Sequence, residues 1–212
     1  MNFLLDFIYP KTCGICEKVS NTYLCNKCNL KIKKIAKLRT IDYTADNKKY
    51  YDYHTYIFKY DGIIRDKLIN YKFNNQAYLY KFFLRILLSN CNFLNIYDII
   101  LPVPIHIKRK LKRGYNQSEL IIKEFAKNIN LEYSNDVLIK IIDTKAQSTL
   151  NKQQRISNVL GVYRIENEQK IDKKSILLID DIYTTGSTVN ECSKILKQNG
   201  AKSIHVLTIA KD

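Results

Sequence analysis

The chain has 212 residues, 46% of them hydrophobic, which is enough for one sizeable globular domain and a small appendage. It has no run of about 18 apolar residues and no signal-peptide pattern, so we expect a soluble, cytoplasmic protein without a membrane span. The net charge of +15 favours a polyanionic partner, but only modestly, because the excess of Lys over Arg also fits an AT-rich genome.

Two C-x-x-C pairs, Cys13 with Cys16 and Cys25 with Cys28, lie near the amino terminus with eight residues between them. Each turn directs two thiolates at one centre, and two turns complete the tetrahedral sulfur shell that zinc prefers. A redox C-x-x-C would need only one pair at the start of a helix, so the spacing favours a closed structural zinc site. The basic stretch "KCNLKIKKIAKLR" follows as a predicted helix, and we assign residues 1–39 to a zinc-binding lobe.

Residues 40–94 are predicted to connect this lobe to the core of the protein. Their first part, residues 40–53, is polar and rich in tyrosine, as in a linker or an irregular hairpin. "HTYIFKYDG" alternates as a strand does, while "IIRDKLINYKF" and "AYLYKFFLRILLSN" have apolar residues at helical spacing. We therefore expect a strand and two helices that pack on the core.

Strands and helices alternate from about residue 95 onwards, which predicts an open, mostly parallel α/β sheet over residues 95–212. The predicted strands are "YDIILPVPI", "DVLIKII", "KSILLID" and "SIHVLTIA", and the predicted helices are "NQSELIIKEFAKNIN" and "TVNECSKILKQNG". The polar, glycine-free stretch "DTKAQSTLNKQQRISN" is predicted to be a long mobile loop that runs into a helix. Two cysteines and three histidines outside the zinc lobe match no ligand pattern and are interpreted as core, structural or surface residues: Cys91, Cys192, His54, His106 and His205.

The stretch "ILLIDDIYTTGST", residues 176–188, carries the most specific chemistry. Ligands of parallel sheets bind beyond the carboxyl ends of the strands, so we expect Asp180 and Asp181 to emerge there into solvent after a strand that ends at Ile179. Carboxylates accept hydrogen bonds from sugar hydroxyls. The hydroxyls and N–H groups of "TTGST" can surround a phosphate at the start of a helix, where a glycine permits close approach. The pattern predicts a ribose 5-phosphate site.

Three other interpretations apply to an apolar strand that ends in two acids. A Walker B strand of an ATPase would need a G-x-x-x-x-G-K-[ST] loop, which the sequence lacks. A receiver-type acidic pocket would leave the hydroxyl-rich loop without a purpose. A plain strand–turn–helix unit with a solvated pair of acids remains open.

The same stretch resembles the phosphoribosyl pyrophosphate (PRPP) signature of type I phosphoribosyltransferases. This resemblance implies a sheet of the type I phosphoribosyltransferase kind, with the ribose 2- and 3-hydroxyls on Asp180 and Asp181. It places the 5-phosphate on the loop residues Thr184, Thr185, Gly186, Ser187 and Thr188. It also implies Mg²⁺ bound together with PRPP.

Two further segments, "LPVPIHIKRKLKRGYNQSEL" and "TKAQSTLNKQQRISNVLGVY", are similar to hallmark blocks of the ComF family, and "FKYDGIIRDKLINYKF" resembles its segment between the two lobes. On this resemblance the pyrophosphate side and the mobile loop comprise Pro102, Val103, Pro104, Arg113, Lys145, Gln147 and Arg155. Arg113 and Lys145 are also cations, as a site that must neutralise the charge of a pyrophosphate requires. The neighbouring cations are interpreted individually as a solvated basic face: Lys108, Arg109, Lys110 and Lys112.

The ComF resemblance implies a cytoplasmic competence protein that binds PRPP with Mg²⁺ and handles incoming single-stranded DNA beside a helicase-like partner. The first alternative is an active phosphoribosyltransferase of nucleotide salvage, a glycosyltransferase without a DNA role. The second is a regulator that reads PRPP as a signal. The sequence identifies no catalytic residue, no acceptor base and no oligomeric state.

Overall fold

The computed structural model of the protein describes residues 11–74, 76–91, 96–114, 116–145 and 150–212, and within these it leaves out the side chains of Arg113, Gln117 and Lys152. The helices in this part of the chain are α1 (Asn26–Ile35), α2 (Gly62–Phe73), α3 (Leu79–Asn90), α4 (Ile107–Arg113), α5 (Gln117–Ile129), α6 (Lys152–Ser157) and α7 (Ser187–Gln198). The strands are β1 (Arg39–Asp42), β2 (Tyr53–Lys59), β3 (Ile99–Pro102), β4 (Glu132–Tyr133), β5 (Leu138–Lys140), β6 (Tyr163–Ile165), β7 (Ser175–Tyr183) and β8 (Ser203–Lys211).

Six strands form the main sheet in the order β1-β2-β8-β7-β3-β4. Only β1 at one edge runs antiparallel to its neighbour, and the other pairs of adjacent strands are parallel. The predicted mostly parallel α/β sheet is therefore confirmed. Its centre is the pair β7–β8, so the carboxyl end of β7 lies in the middle of the sheet edge.

Both faces of β7 are buried, which explains its continuous apolar run. Leu177 and Ile179 belong to a core on one face that includes residues of α2, α3 and α5. Ile176 and Leu178 belong to the core on the other face, with residues of α7 and the β5–β6 pair. The acids that follow are thus held by a strand that is fixed on both sides.

Three elements differ from the sequence-based expectations. β7 continues to Tyr183, so the expected end of this strand at Ile179 is wrong. β5 lies outside the main sheet and pairs antiparallel with β6, which the apolar pattern did not reveal. α4 was not predicted, because its sequence "IKRKLKR" has too few apolar residues to show a helical stripe.

The cysteine-rich lobe packs directly on α3. Gly14, within the first C-x-x-C pair, is so close to this helix that an added Cβ would lie 2.6 Å from Cβ of Phe82. Cys13, Leu24 and Phe82 belong to the same buried cluster. The lobe therefore shares a core with the α/β domain, and the division into residues 1–39, 40–94 and 95–212 remains a proposal. In the described part of the chain, no helix combines the length and the apolar character needed to cross a membrane.

Candidate functional site

The carboxyl ends of β3 and β7 lie side by side in the sheet. Pro102 is paired with Ile179, and the N–H of Val103 donates to the carbonyl of Ile179 over 2.9 Å. Asn116 fixes the next segment, because its side chain accepts from the N–H of Ser118 at 3.1 Å and donates to the carbonyl of Val103 at 3.5 Å. The structure thus brings Pro102, Val103 and Pro104 beside the acids of β7.

The two acids of β7 have different surroundings. Asp181 is 5% exposed and forms a 2.8 Å ion pair with Nζ of Lys72 on α2. Asp180 is partly buried and accepts hydrogen bonds from the N–H of Asp181 at 2.9 Å and Oγ of Ser118 at 3.5 Å. Burial raises the pKa of Asp180 to about 7, and the negative charge of Asp181 adds to this. The expectation that both carboxylates face solvent is therefore wrong for Asp181.

A hydroxyl-rich turn leads from β7 into α7. Gly186 precedes the helix in the left-handed region with φ of 73°, a conformation that glycine adopts at little cost. Oγ1 of Thr185 and Oγ of Ser187 share a 2.7 Å hydrogen bond. Thr184, Thr185, Ser187 and Thr188 are all partly exposed, and their hydroxyls lie at the amino terminus of α7, the positive end of the helix dipole. This turn has the donors that an anionic group needs.

A buried aromatic stack supports the turn from below. An added Cβ on Gly186 would lie 2.3 Å from Oη of Tyr183, so that only glycine fits over this ring. The Tyr183 ring stacks on His54 at a centroid distance of 4.1 Å, and its hydroxyl shares a 2.8 Å hydrogen bond with Oη of Tyr51. Burial lowers the pKa of His54 to about 3, so the imidazole is neutral at physiological pH. Beyond the abundance of tyrosine, no pattern in the sequence predicted this support.

His54 and His205 are both structural, as interpreted from the sequence. Nε2 of His54 shares a 2.9 Å hydrogen bond with Oγ1 of Thr208. Nε2 of His205 shares one of 2.7 Å with Oγ1 of Thr55. His106 caps α4, where Nδ1 accepts from the N–H of Lys108 at 3.3 Å.

The residues expected on the mobile loop are less closely gathered than the acids and the hydroxyls. Lys145 is exposed, and its side chain has no hydrogen bond or ion pair within the described residues. Nε of Arg155 donates to the carbonyl of Leu150 at 3.0 Å. Gln147 lies outside the described residues, and the side chain of Arg113 is among those left out.

Two cations near the acids were missed by the sequence reasoning. Arg109 was interpreted as part of a solvated face, but its side chain is only 26% exposed, and its Nε lies 3.5 Å from Oδ1 of Asp143. Lys140 is 9% exposed, and its Nζ donates to Oγ1 of Thr144 at 2.9 Å. The alternation in "LIK" offered a signal, because Lys140 follows Leu138 on the inward side of β5.

The four cysteines of the lobe meet at one point, with all Sγ atoms within 4.8 Å of one another. Tetrahedral zinc with Zn–S bonds of about 2.3 Å would need sulfur atoms about 3.8 Å apart, so this cluster can hold one ion after a small contraction. The N–H of Cys25 points at Sγ of Cys13 over 3.4 Å. Burial raises the pKa of Cys13. The hydrogen bond from the N–H of Cys25 and other backbone N–H bonds outweigh burial and leave the pKa of Cys13 at about 6. The first ligand is therefore a thiolate at neutral pH. All six cysteines are free, and Cys91 and Cys192 are buried, as core residues are.

Comparison with known proteins gives a match to one domain family and matches to curated proteins over 56–74% of this chain. The family model described as "Phosphoribosyl transferase domain" matches residues 136–212. Competence protein ComFC of Streptococcus pneumoniae is 32% identical over 158 residues, which cover 74% of this chain and 68% of that protein. Competence protein F of Haemophilus influenzae is 28% identical over 148 residues, which cover 66% of this chain and 65% of that protein.

DNA utilization protein YhgH of Escherichia coli O157:H7 is 28% identical over 118 residues, covering 56% of this chain and 51% of that protein. The chain thus spans about half to two thirds of the length of these curated relatives. Among solved structures, adenine phosphoribosyltransferase from Trypanosoma brucei matches 74% of this chain and 71% of that chain, with 14% identity and a TM-score of 0.44.

Proposed function

Because the chain belongs to the ComF family of competence proteins, we propose that the carboxyl end of β7 binds PRPP together with Mg²⁺. The observation that carries this proposal is an acid pair at the centre of a parallel sheet, followed at once by a hydroxyl-rich turn into a helix. Asp180 and Asp181 accept hydrogen bonds from the ribose hydroxyls. The 5-phosphate lies on the turn at Thr184, Thr185, Gly186, Ser187 and Thr188.

The pyrophosphate group lies beside the segment that follows β3. Pro102, Val103 and Pro104 form this segment, and it is fixed to the end of β7 by backbone pairing. Mg²⁺ bound together with PRPP would supply positive charge to the pyrophosphate. On the family pattern we assign the remaining positions of the mobile loop and its neighbourhood to this side: Arg113, Lys145, Gln147 and Arg155.

A ligand panel tests this proposal. With Mg²⁺ present, PRPP should raise the thermal midpoint, because saturation at about a hundred times Kd stabilises a fold by roughly 2.7 kcal/mol. Ribose 5-phosphate should raise it less, and ATP least. A larger shift with ATP than with PRPP would contradict the phosphoribosyl site.

We propose in addition that the protein acts in the cytoplasm, in competence, on single-stranded DNA. Two relatives carry the name competence protein and a third the name DNA utilization protein, which supports this role. A helicase-like competence protein is the proposed partner, and the family membership alone supports it.

A basic groove between α1 and the β1–β2 hairpin supports the DNA role independently of the names. The groove has a volume of about 290 Å³ and is lined by four cations, Lys34, Lys37, Arg39 and Lys59. All four are exposed, and within the described residues none of them has an ion-pair partner. Among the described residues, Asp61 is the one acid that lines the groove. Such a surface fits the backbone of a single strand.

Salt dependence tests the basic groove. Each phosphate contact on a single strand contributes about −0.7 to the slope of log K against log salt. Lys34→Gln with Lys37→Gln should therefore make the slope for a labelled oligothymidine shallower by about 1.4. The matched control is Lys123→Gln with Lys127→Gln on the exposed face of α5, which should leave the slope unchanged. Equal slopes for both double variants would remove this groove from the DNA site.

The match to the phosphoribosyl transferase domain favours one other candidate, an active enzyme. In that case, PRPP and a suitable base should release pyrophosphate. A panel of purine and pyrimidine bases, assayed for pyrophosphate with PRPP and Mg²⁺, tests this alternative. Binding of PRPP without release on any base would leave the competence role as the function.

A further inference from the structure

Lys140 on β5 is a buried cation that forms no ion pair within the part of the chain that the structure describes. It is 9% exposed, and its Nζ donates to the neutral hydroxyl of Thr144 at 2.9 Å. The only other contact of this ammonium within the described residues is the ring of Tyr163, its cross-strand neighbour, whose centroid lies 5.6 Å away. Burying an ammonium without a paired charge is costly, so a position of this kind indicates a role beyond packing.

A second cation, Arg109, also contacts Thr144. The guanidinium of Arg109 on α4 donates to the backbone carbonyl of Thr144, whose hydroxyl receives Lys140. Burial lowers the pKa of Lys140, and the positive charge of Arg109 lowers it further. Asp143 is 3.5 Å from Nε of Arg109 and offsets only part of this charge. Among the described residues, Arg109 thus has an ion-pair partner in Asp143, whereas Lys140 has none within ion-pair distance.

Lys140 also lines a groove that reaches the candidate site. This groove has a volume of about 360 Å³, within the range of small-molecule clefts, and Pro102, Pro104 and Asn116 form its wall on the side of β3. Asp180 is close enough to Lys140 to contribute to its electrostatic environment. The ammonium thus lies within electrostatic reach of Asp180 and in the same groove as Pro102 and Pro104.

We infer that Lys140, with Arg109 beside it, binds the diphosphate group of the ligand. This inference rests on the proposed function and adds to it two cations that the motif does not contain. A ligand whose ribose hydroxyls lie on Asp180 reaches the hydroxyl turn with its 5-phosphate and Lys140 with its diphosphate. Lys140 then exchanges a neutral acceptor for a charged one, and the unpaired ammonium is neutralised.

Titration calorimetry in Mg²⁺ buffer tests this assignment with three probes: PRPP, ribose 5-phosphate and inorganic pyrophosphate. Lys140→Met should lower the affinity for PRPP about ten- to a hundredfold, as expected for one lost charge-assisted contact. It should change the affinity for ribose 5-phosphate less than about twofold. Lys140→Arg should retain part of the PRPP affinity. Lys123→Met, on the exposed face of α5, also removes one positive charge and should change the affinity for neither ligand.

The thermal midpoint of the ligand-free variant separates binding from a structural role. Methionine is an apolar replacement for a buried ammonium, so Lys140→Met should keep or raise the midpoint. A lower midpoint together with equal losses for PRPP and ribose 5-phosphate would show that Lys140 only supports the fold, which would overturn the inference.

The third probe distinguishes this inference from the proposed function. If the wild type binds pyrophosphate through Lys140 but does not bind PRPP, the proposed function fails and the cation site stands. If it binds PRPP and Lys140→Met binds it equally well, the cation site fails and the proposed function stands. Binding of neither PRPP nor pyrophosphate by the wild type overturns both.

Discussion

Asp180 and Asp181 are neighbours in the chain with different electrostatic surroundings. Asp181 forms a 2.8 Å ion pair with Nζ of Lys72. Asp180 has no cation at this distance among the described residues, and burial raises its pKa from 3.8 to about 7. In the ligand-free protein, Asp180 is therefore protonated more readily than an ordinary aspartate.

This raised pKa predicts a pH dependence of ligand binding. The protonated Asp180 stabilises the ligand-free fold most at about pH 4 and below, and this contribution is lost as the pH rises through about 7. The ribose diol prefers the carboxylate, so the affinity for PRPP should rise about tenfold between about pH 6 and pH 8. Calorimetry at both pH values measures this change.

Asp180→Asn is the control for this prediction, because PRPP itself titrates in the same range. Its amide has no proton to lose, so the variant should show only the pH dependence of the ligand. Identical pH profiles for the wild type and the variant would contradict a titrating Asp180.

Gly186 predicts a second effect at the scale of single residues. Gly186→Ala should abolish PRPP binding and destabilise the fold, because a Cβ at this position would lie 2.3 Å from the hydroxyl of Tyr183. The control is Gly161→Ala, since Gly161 has a similar φ of 65° but no atom within 4 Å of the added Cβ. This control should lower the stability by about 1–2 kcal/mol and leave binding intact. If Gly186→Ala and Gly161→Ala lost the same amount of PRPP binding, the requirement for glycine above Tyr183 would be contradicted.

At the scale of elements, the sequence predicted those helices and strands whose apolar residues face one core. α5 and α7 have clear apolar stripes, and both lie close to where they were expected. α4 is basic along its length, and its ends are defined by a side-chain cap at His106 and the left-handed Gly114. Local capping of this kind leaves no periodic signal, so such an element is found only in the structure.

A local sequence pattern also cannot predict which strand another strand pairs with. "DVLIKII" was predicted as a strand, but its pairing with β6 depends on a segment more than twenty residues later. β7 was predicted too short, because a buried acid was not expected within a strand. Asp181 can remain in the strand because Lys72, on a distant helix, neutralises it. The place of the acid pair near the carboxyl end of a buried parallel strand could therefore be predicted from the sequence, while its electrostatic surroundings could not.

The zinc lobe gives a prediction at the same scale. Purified protein should contain about one zinc per chain, and Cys25→Ser should lose it, since a structural zinc contributes on the order of 10 kcal/mol to such a lobe. Cys13 and Cys28 share a buried cluster with Phe82, so the loss should extend to α3. Metal analysis and hydrogen exchange of α1 and α3 measure both effects.

Cys91→Ala is the matched control for the zinc prediction. It removes a buried thiol that is not one of the four zinc ligands, so the zinc content should not change. Full protection of α1 and α3 in a zinc-free Cys25→Ser protein would contradict a structural role for the metal.

At the scale of the whole molecule, two surfaces of different character are joined by one sheet. The acid and hydroxyl site lies at the carboxyl ends of β3 and β7, whereas the basic groove lies between α1 and the β1–β2 hairpin at the sheet edge. β2 and β8 connect them, since β2 lines the groove and β8 pairs with both β2 and β7. A motif predicted the acid and hydroxyl site, whereas the basic groove and the sheet that joins it to this site are seen only in the structure. The proposed PRPP site and the proposed DNA groove are therefore separate surfaces on one scaffold.

Direct binding of PRPP to the acid pair tests the central claim most directly. The variant is Asp180→Asn with Asp181→Asn, and the control is Asp61→Asn with Asp66→Asn, two acids outside the candidate site. The acid-pair variant should have a lower thermal midpoint, because it loses the ion pair to Lys72, so titrations belong well below that midpoint. With Mg²⁺ present, the wild type and the control should bind PRPP with equal affinity, and the folded acid-pair variant should not bind it. Unchanged binding by that variant would contradict a ribose site on Asp180 and Asp181.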